Sequence, residues 1–240
     1  MNPETPRAMR ISIIIPALNE ASGIVSFLGT LREHAPDCQI ILADGGSTDG
    51  TPGMARPLSD SVVESASGRA VQMNAGAAVA KAEILLFLHA DTWLPPSFAQ
   101  DIAAALVDGA CWGRFDVKIE GRSRWLPVIT RMMNLRSRLT GIATGDQAMF
   151  MTRPAFDRVG GFPDQRLMED IEMSRRLKRL GKPACLAGPA ITSGRRWDEK
   201  GALRTVLLMW RLRLAYWAGA HPETLAIRYG YGPRAPVRDG

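Results

Sequence analysis

Carboxylates recur where short apolar runs end in this chain. The run QIILA closes at Ala43, stops on Asp44 and enters a turn of glycines and small hydroxyls, GGSTDG. ISIIIPALNE (11–20) ends on Asn19 and Glu20, and EILLFLHAD (83–91) ends on His89 and Asp91. Three apolar strands with acidic tips suggest one edge of a parallel sheet, and ligands in open α/β sheets bind outside the carboxyl ends of the strands. Asp44 and Glu20 can accept hydrogen bonds from a base N–H or from ribose hydroxyls. Asp91 can hold a hard divalent cation that neutralises a diphosphate. His89 lies two residues earlier in an extended segment, so it points the same way and can face the same metal or phosphate. A turn or capping role is the plainer alternative for any one of these residues. Three of them in strand order weaken that alternative.

The elements that must position these tips follow from hydrophobic period. A strand is expected over 10–16, closed by Pro16, which cannot donate to a sheet ladder. A helix over 21–34 carries Ile24, Phe27, Leu28 and Leu31 on one side. Strand 38–43, a turn with a short helix over 45–56, and a weak strand at 61–64 come next. A tightly packed helix over 68–81, strand 83–88 and a helix over 97–107 complete a strand–helix alternation through residue 108. That alternation predicts a parallel sheet with helices on both faces. Later, 110–119 and 147–152 read as strands, and 168–181 as a helix stopped at Gly181. The organisation expected is one domain: a nucleotide-binding half over 10–108, an acceptor-binding half over 109–197 and a helical extension over 198–240.

Composition narrows the function classes. With 240 residues and 46% hydrophobic side chains, the chain can bury a real core. A net charge of +6 permits anionic partners: nucleotide phosphates, a membrane surface or nucleic acid. No zinc-finger spacing or RNA-binding aromatic strand motif occurs, which argues against nucleic acid. Cys38, Cys111 and Cys185 are scattered and odd in number, as expected of free thiols in a reducing compartment. The N-terminus is polar, Ile11 to Ile15 is too short for a signal-peptide core, and no run of 18 apolar residues suggests a spanning helix. A cytoplasmic location is therefore expected. The Gly-rich dinucleotide fingerprint and the phosphate loop are both missing, which argues against NAD binding and ATP hydrolysis of the usual kind.

The segments PALNE, ADGGSTDG, GRAVQMNAG and LHAD resemble, in this order, the first half of inverting family-two glycosyltransferases with the GT-A fold. TGDQAMFMTRPAFDRVGGF (144–162) is similar to their acceptor-side segment and MEDIEMSRRL (168–177) to the start of their base-bearing helix. The resemblance covers residues 10 to about 197. It implies an α/β fold, a Rossmann-like, mostly parallel sheet flanked by helices, here with extra amphipathic helices in the second half. It also implies a nucleotide-diphosphate-sugar donor, a divalent metal (Mn2+ or Mg2+) and one carboxylate base. By resemblance, Asp44 contacts the base, Glu20 lies near the nucleoside, and Pro16, Arg69, Ala90 and Arg196 line the donor site. Asp91 takes the metal, with His89 assisting. Asp170 is the catalytic base with Glu169 as runner-up, and Asp146, Gln147 and Trp197 face the acceptor. The departures are Gly45 where the family commonly has a second acid, His89 as the first position of the D-x-D motif, and Ser193 in place of glutamine ahead of Arg196 and Trp197. With that glutamine absent and no spanning helices, processive polymer synthesis is not expected.

Inverting transfer is an in-line displacement that needs a base for the acceptor hydroxyl. It also needs charge stabilisation of the leaving diphosphate, which Asp91 with a metal, helped by Arg69 or Arg196, would supply. A plainer role exists for Glu169 and Asp170, since acids favour the first turn of a helix. Two rivals stand beside this reading. A sugar-phosphate nucleotidylyltransferase would need an arginine-bearing loop after strand one, and PALNEASG has none. A non-catalytic sugar-nucleotide-binding module would fit a metal motif altered to His-Ala-Asp.

Two basic amphipathic stretches stand apart from this core. In 122–139, Ile129, Met132, Leu135 and Leu139 share a helical side. In 201–219, Leu203, Leu207, Trp210, Leu214 and Trp217 do the same. Covering the sheet is their plain role; a membrane interface or a homodimer seam suits them too. Contact with the inner face of a membrane would make a lipid-linked acceptor reasonable.

Overall fold

The structure, a computed structural model, describes residues 10–231. The polar segment 1–9 and the last part of the helical extension, 232–240, lie outside the described residues. The first half alternates as follows: β1 (Ile11–Ala17), α1 (Ala21–His34), β2 (Gln39–Asp44), α2 (Thr51–Ala55), β3 (Ser61–Glu64), α3 (Arg69–Val79) and β4 (Ile84–Phe87). A two-residue β5 (Thr92–Trp93) and α4 (Phe98–Val107) follow. The second half holds β6 (Trp112–Glu120), α5 (Leu126–Thr140), β7 (Met149–Thr152), α6 (Arg153–Arg158), α7 (Glu169–Leu177) and β8 (Ala184–Ser193). It ends in α8 (Arg195–Lys200), α9 (Ala202–Trp217) and α10 (Pro222–Tyr229).

One eight-stranded sheet runs in the order β3-β2-β1-β4-β7-β6-β8-β5. The first four strands are parallel, and β7 enters antiparallel between β4 and β6. Helices cover both faces, so the central strands are apolar on both sides. Ile13 and Ile15 point into the cluster under α1 and α4, while Ile14 and Ile41 point into the one under α3 and α7. The carboxyl ends of β1, β2 and β4 thereby meet at one edge.

Pro16 does not close β1. The strand continues to Ala17, which pairs with Asp44. Pairing with β4 ends at Ile14, whose carbonyl accepts from Leu88 N–H at 3.0 Å. Alternation along the strand puts the Pro16 nitrogen on that same side, past the end of the ladder, where no donor is needed. Strand β8 was not expected from sequence because Gly188 and Pro189 interrupt it. The register slips between Phe115 and Asp116 of β6, where Leu186 gives way to Pro189, and a bulge is where a sheet accepts proline. Helix α7 starts one residue later than expected, because Met168 takes a left-handed conformation at φ 68°.

The two amphipathic stretches fold as α5 and α9, but of the sides read from sequence as apolar faces only Ile129 packs. Ile129 is buried, whereas Met132, Leu135 and Leu139 are exposed. On α9, Leu203, Leu207, Trp210, Leu214 and Trp217 all face solvent. Packing is done by Leu126, Ile129 and Ala202 around β6, and by Leu212 against Leu167, Met168 and Leu225. Among the described residues no helix is long and apolar enough to cross a membrane.

β6 and β8 approach closely because position 113 is glycine. A Cβ there would sit 2.6 Å from the Ala184 carbonyl oxygen and overlap the Phe150 ring. Backbone cannot yield as a side-chain tip can. Gly113→Ala is therefore expected to lower stability by about 1–3 kcal/mol, seen as a lower urea midpoint at unchanged slope.

Candidate active site

The tips of β1 and β2 are tied to each other before they can meet any ligand. Asp44 is 2% exposed. Its Oδ2 accepts from Gly46 N–H at 2.9 Å and Ser47 N–H at 2.8 Å, and its Oδ1 from the Ser47 hydroxyl. These bonds hold Asp44 in its own turn, the plainer of the two roles open to it. Asn19 Oδ1 accepts from Thr48 N–H, and Glu20 donates its N–H to Thr51 Oγ1, both at 2.9 Å. Gly45 has a packing reason. A Cβ there would lie 2.9 Å from the Gln72 amide carbon. That amide donates to Ala17 O at 2.7 Å and Ala43 O at 2.9 Å, fastening α3 across the ends of both strands. Pro16 sits one residue before this fastening, and Ala90 packs toward the core.

Glu20 and Asp91 come together, as their strand ends require. Partial burial and the charge of Asp91 raise the Glu20 carboxyl above its ordinary value, against Arg195 and Arg69. Asp91 is fixed through its backbone: its carbonyl accepts from Ser193 N–H, and next to it the Thr92 hydroxyl bonds Thr192 at 3.0 Å across the β5–β8 ladder. Among the described residues no three His, Cys, Asp or Glu side chains converge as a closed metal cage.

Gly145 organises the other wall. Its N–H donates to Asp170 Oδ2 at 3.0 Å. Its bare Cα leaves room for the His89 ring, since a Cβ would lie 2.5 Å from His89 Cε1 and Nε2. His89 Nδ1 stands 3.3 Å from Asp146 Oδ1. The imidazole is thus turned toward Asp146 and Gly145. Desolvation pushes the Asp146 carboxyl up, but the His89 hydrogen bond and the charges of His89, Arg69 and Arg196 hold it below its usual range. His89, Glu169 and Asp170 line one small cavity with Met73, Phe87 and Phe162.

Burial, then the neighbouring Asp170 charge, pushes Glu169 up to about 8. Burial also raises Asp170, against bonds from Gly145 and Ile171 N–H and the charge of Arg69. Bonds from two backbone N–H groups favour an ionised carboxyl. Of this pair, Asp170 therefore carries the charge and Glu169 the proton. Arg69, the first residue of α3, is acted on by charges of both walls: desolvation opposes its charge, yet Tyr231, Glu169, Tyr229 and Asp146 together raise its pKa. Arg69 also bears on Glu20.

Tyr229 and Arg136 carry no sequence signal of their own, whereas Arg196 does. Arg196 lies 3.6 Å over the Tyr229 ring and donates to the Tyr229 carbonyl. Burial pushes the Tyr229 hydroxyl up to about 12. Arg136 Nε and Nη2 are buried without a hydrogen-bond partner among the described residues, within reach of the Asp170 charge. Among the residues not named from sequence, only Gly145 had a cue, as the residue before Asp146 in TGDQ. Two candidates are directed elsewhere: Gln147 is fully buried in a capping box with Thr144, and Trp197 packs beside Val117 and Ile129.

The Glu169 shift fixes a pH dependence. Its folded carboxyl sits near 8 against an ordinary 4.5. A raised carboxyl contributes stability that is fully present below the ordinary value and is lost as pH rises through the folded one. The melting temperature is thus expected to fall between pH 5 and pH 9, and to fall less in Glu169→Gln. Equal slopes in the two proteins would contradict the burial of that proton.

Comparison with known proteins bears on this geometry. Among solved structures, the fold is similar to a mannosyltransferase from Pyrobaculum calidifontis, in complex with GDP-Man and Mn2+ (TM-score 0.65, 24% identity, covering 96% of this chain and 67% of that one). It is also similar to glucosyl-3-phosphoglycerate synthase from Mycobacterium tuberculosis with Mn2+ and UDP (TM-score 0.60, 22% identity, covering 93% and 81%). Validoxylamine A glucosyltransferase from Streptomyces hygroscopicus subsp. jinggangensis is 31% identical over 121 residues, which is 43% of this chain and 29% of that protein. The likeness to solved structures identifies the fold as GT-A. The family described as Glycosyl transferase family 2 matches residues 12–160, and the chain belongs to it.

Proposed function

We propose that the cleft transfers a sugar from a nucleotide-diphosphate donor to an acceptor hydroxyl with inversion, and that Asp170 is the base. The observation carrying this reading is the placement of Asp170: Gly145 and Ile171 N–H hold its two oxygens, and it lines one cavity with Glu169 and with His89, two residues before Asp91 on the opposite, strand-tip side. The charge of Arg69 acts on Glu20 as well as on Glu169, Asp170 and Asp146, which suits a substrate that brings its own negative charge. The nucleotides named with the similar structures, the sugar donor GDP-Man and the nucleoside diphosphate UDP, support a nucleotide-diphosphate sugar.

Each side chain then has a task. Asp170, aimed by Gly145 and Ile171 N–H, accepts the acceptor hydroxyl proton as the new bond forms. Glu169 keeps its proton and spares the site a second buried charge. Arg69 and Arg196 stabilise the leaving diphosphate, since guanidinium matches phosphate oxygens. Asp146, fixed by His89, orients the acceptor. The crowding of Glu20 by Asp91 fits a divalent cation, because Mg2+-type sites use one or two carboxylates and complete their shell with substrate phosphates. Asp91 would hold it with Glu20 beside it, and there it would offset the diphosphate charge. His89 has its ring engaged by Asp146 and is better assigned to orientation than to the metal.

Two measurements test this. Hydrolysis or transfer from UDP- and GDP-sugars with Mn2+ is expected to fall about 10²–10⁴-fold in Asp170→Asn, while nucleoside diphosphate still raises the melting temperature. Saturable binding without turnover, unchanged by that substitution, would instead indicate a binding module. In the second, Mn2+ is expected to enlarge the UDP or GDP thermal shift in the native chain and in His89→Ala but not in Asp91→Ala. Loss of the Mn2+ increment in His89→Ala would return the histidine to the metal.

A further inference from the structure

Helices α5 and α9 each turn an apolar face outward. Trp210 and Trp217 on α9 are 61% and 86% exposed, with Leu207 and Leu214 on the same side. Met132, Leu135 and Leu139 do likewise on α5. Monomeric soluble proteins rarely expose contiguous apolar surface on this scale without a use for it. The two helices flank one small core built on Ile129 and Ala202, so these faces belong to neighbouring elements.

The charges beside them identify the occupant. Segment 122–139 contains five arginines and segment 201–219 three, and neither contains an aspartate or glutamate. Arg131, Arg204 and Arg211 are exposed and have no hydrogen-bond or ion-pair partner among the described residues. Unpartnered arginines bordering tryptophan and leucine make the pattern of a helix lying in a bilayer interface. An anionic headgroup layer satisfies such arginines and the acyl boundary takes the apolar side chains. A second copy would bring arginines against arginines with no acid in either segment to meet them.

We propose that the outward faces of α5 and α9 dock the protein on an anionic lipid surface. The inner face of α9 packs through Leu208 and Leu212 on Leu167, Met168 and Ile171, so docking would fall directly behind the turn that carries Asp170. The proposal does not depend on which reaction the cleft performs.

Vesicle sedimentation of the full chain tests it. Vesicles of phosphatidylcholine with phosphatidylglycerol are expected to pellet the protein and shift its tryptophan emission to the blue. Vesicles of phosphatidylcholine alone are expected to bind at least tenfold less, and added salt to release the bound fraction. Trp210→Glu with Leu214→Glu should abolish pelleting at an unchanged melting temperature, because both side chains are exposed. Absence of pelleting with anionic vesicles, or pelleting unaffected by the double substitution, would overturn the proposal. So would a dimer in light scattering that the same substitutions dissociate, which would assign the face to a second copy.

Discussion

Glu20, Asp91, Asp146, Glu169 and Asp170 crowd one edge of the sheet, and like charge at low dielectric constrains everything built there. Four of these carboxyls settle in three ways. Glu20 and Glu169 are pushed toward their neutral forms, while Asp146 is held ionised by His89 and the arginines. Asp170 lies between these extremes, desolvated but bonded by Gly145 and Ile171 N–H. Arg69 is the cation that several of them share. It opens α3, and α3 is fixed by the Gln72 amide spanning β1 and β2. The backbone from which that charge springs is therefore fastened to the sheet.

Two glycines make this crowding sterically achievable. At position 45 the absent side chain leaves room for the Gln72 amide, and at 145 for the His89 ring. Both lie where the sequence departs from, or sits beside, the acid motifs of its family. Glycine at 45 brings no negative charge and leaves the Gln72 amide room for its bonds across two strand ends. The histidine in the D-x-D position gives Asp146 a hydrogen-bond partner.

The first half of the fold was legible in the sequence because its strands are buried on both faces and its helices keep a clear period. Ile11 to Ala17 and Ile84 to Phe87 show this, being runs of large aliphatic side chains bounded by turns. Strand β8 was hidden because a bulge admits the glycine and proline that normally mark a loop. The amphipathic stretches were found, but not the side on which they pack. A stripe of leucine and tryptophan says only that one face is apolar, and the smaller set around Leu212 does the burying. The acids at the strand tips could be named from type and position. Tyr229, Arg136 and the pairing of His89 with Asp146 could not, since each depends on contacts formed across 30 or more residues of chain.

The ladder between β5 and β8 is only two residue pairs long, yet it joins positions a hundred apart in the chain. It couples the loop of Asp91, through Ser193, to the turn that begins α8 with Arg195 and Arg196. The acidic rim and the arginine rim are thus one mechanical body. The gap between opposite charges is thereby spanned by backbone bonds of the sheet itself and not by the helices around it.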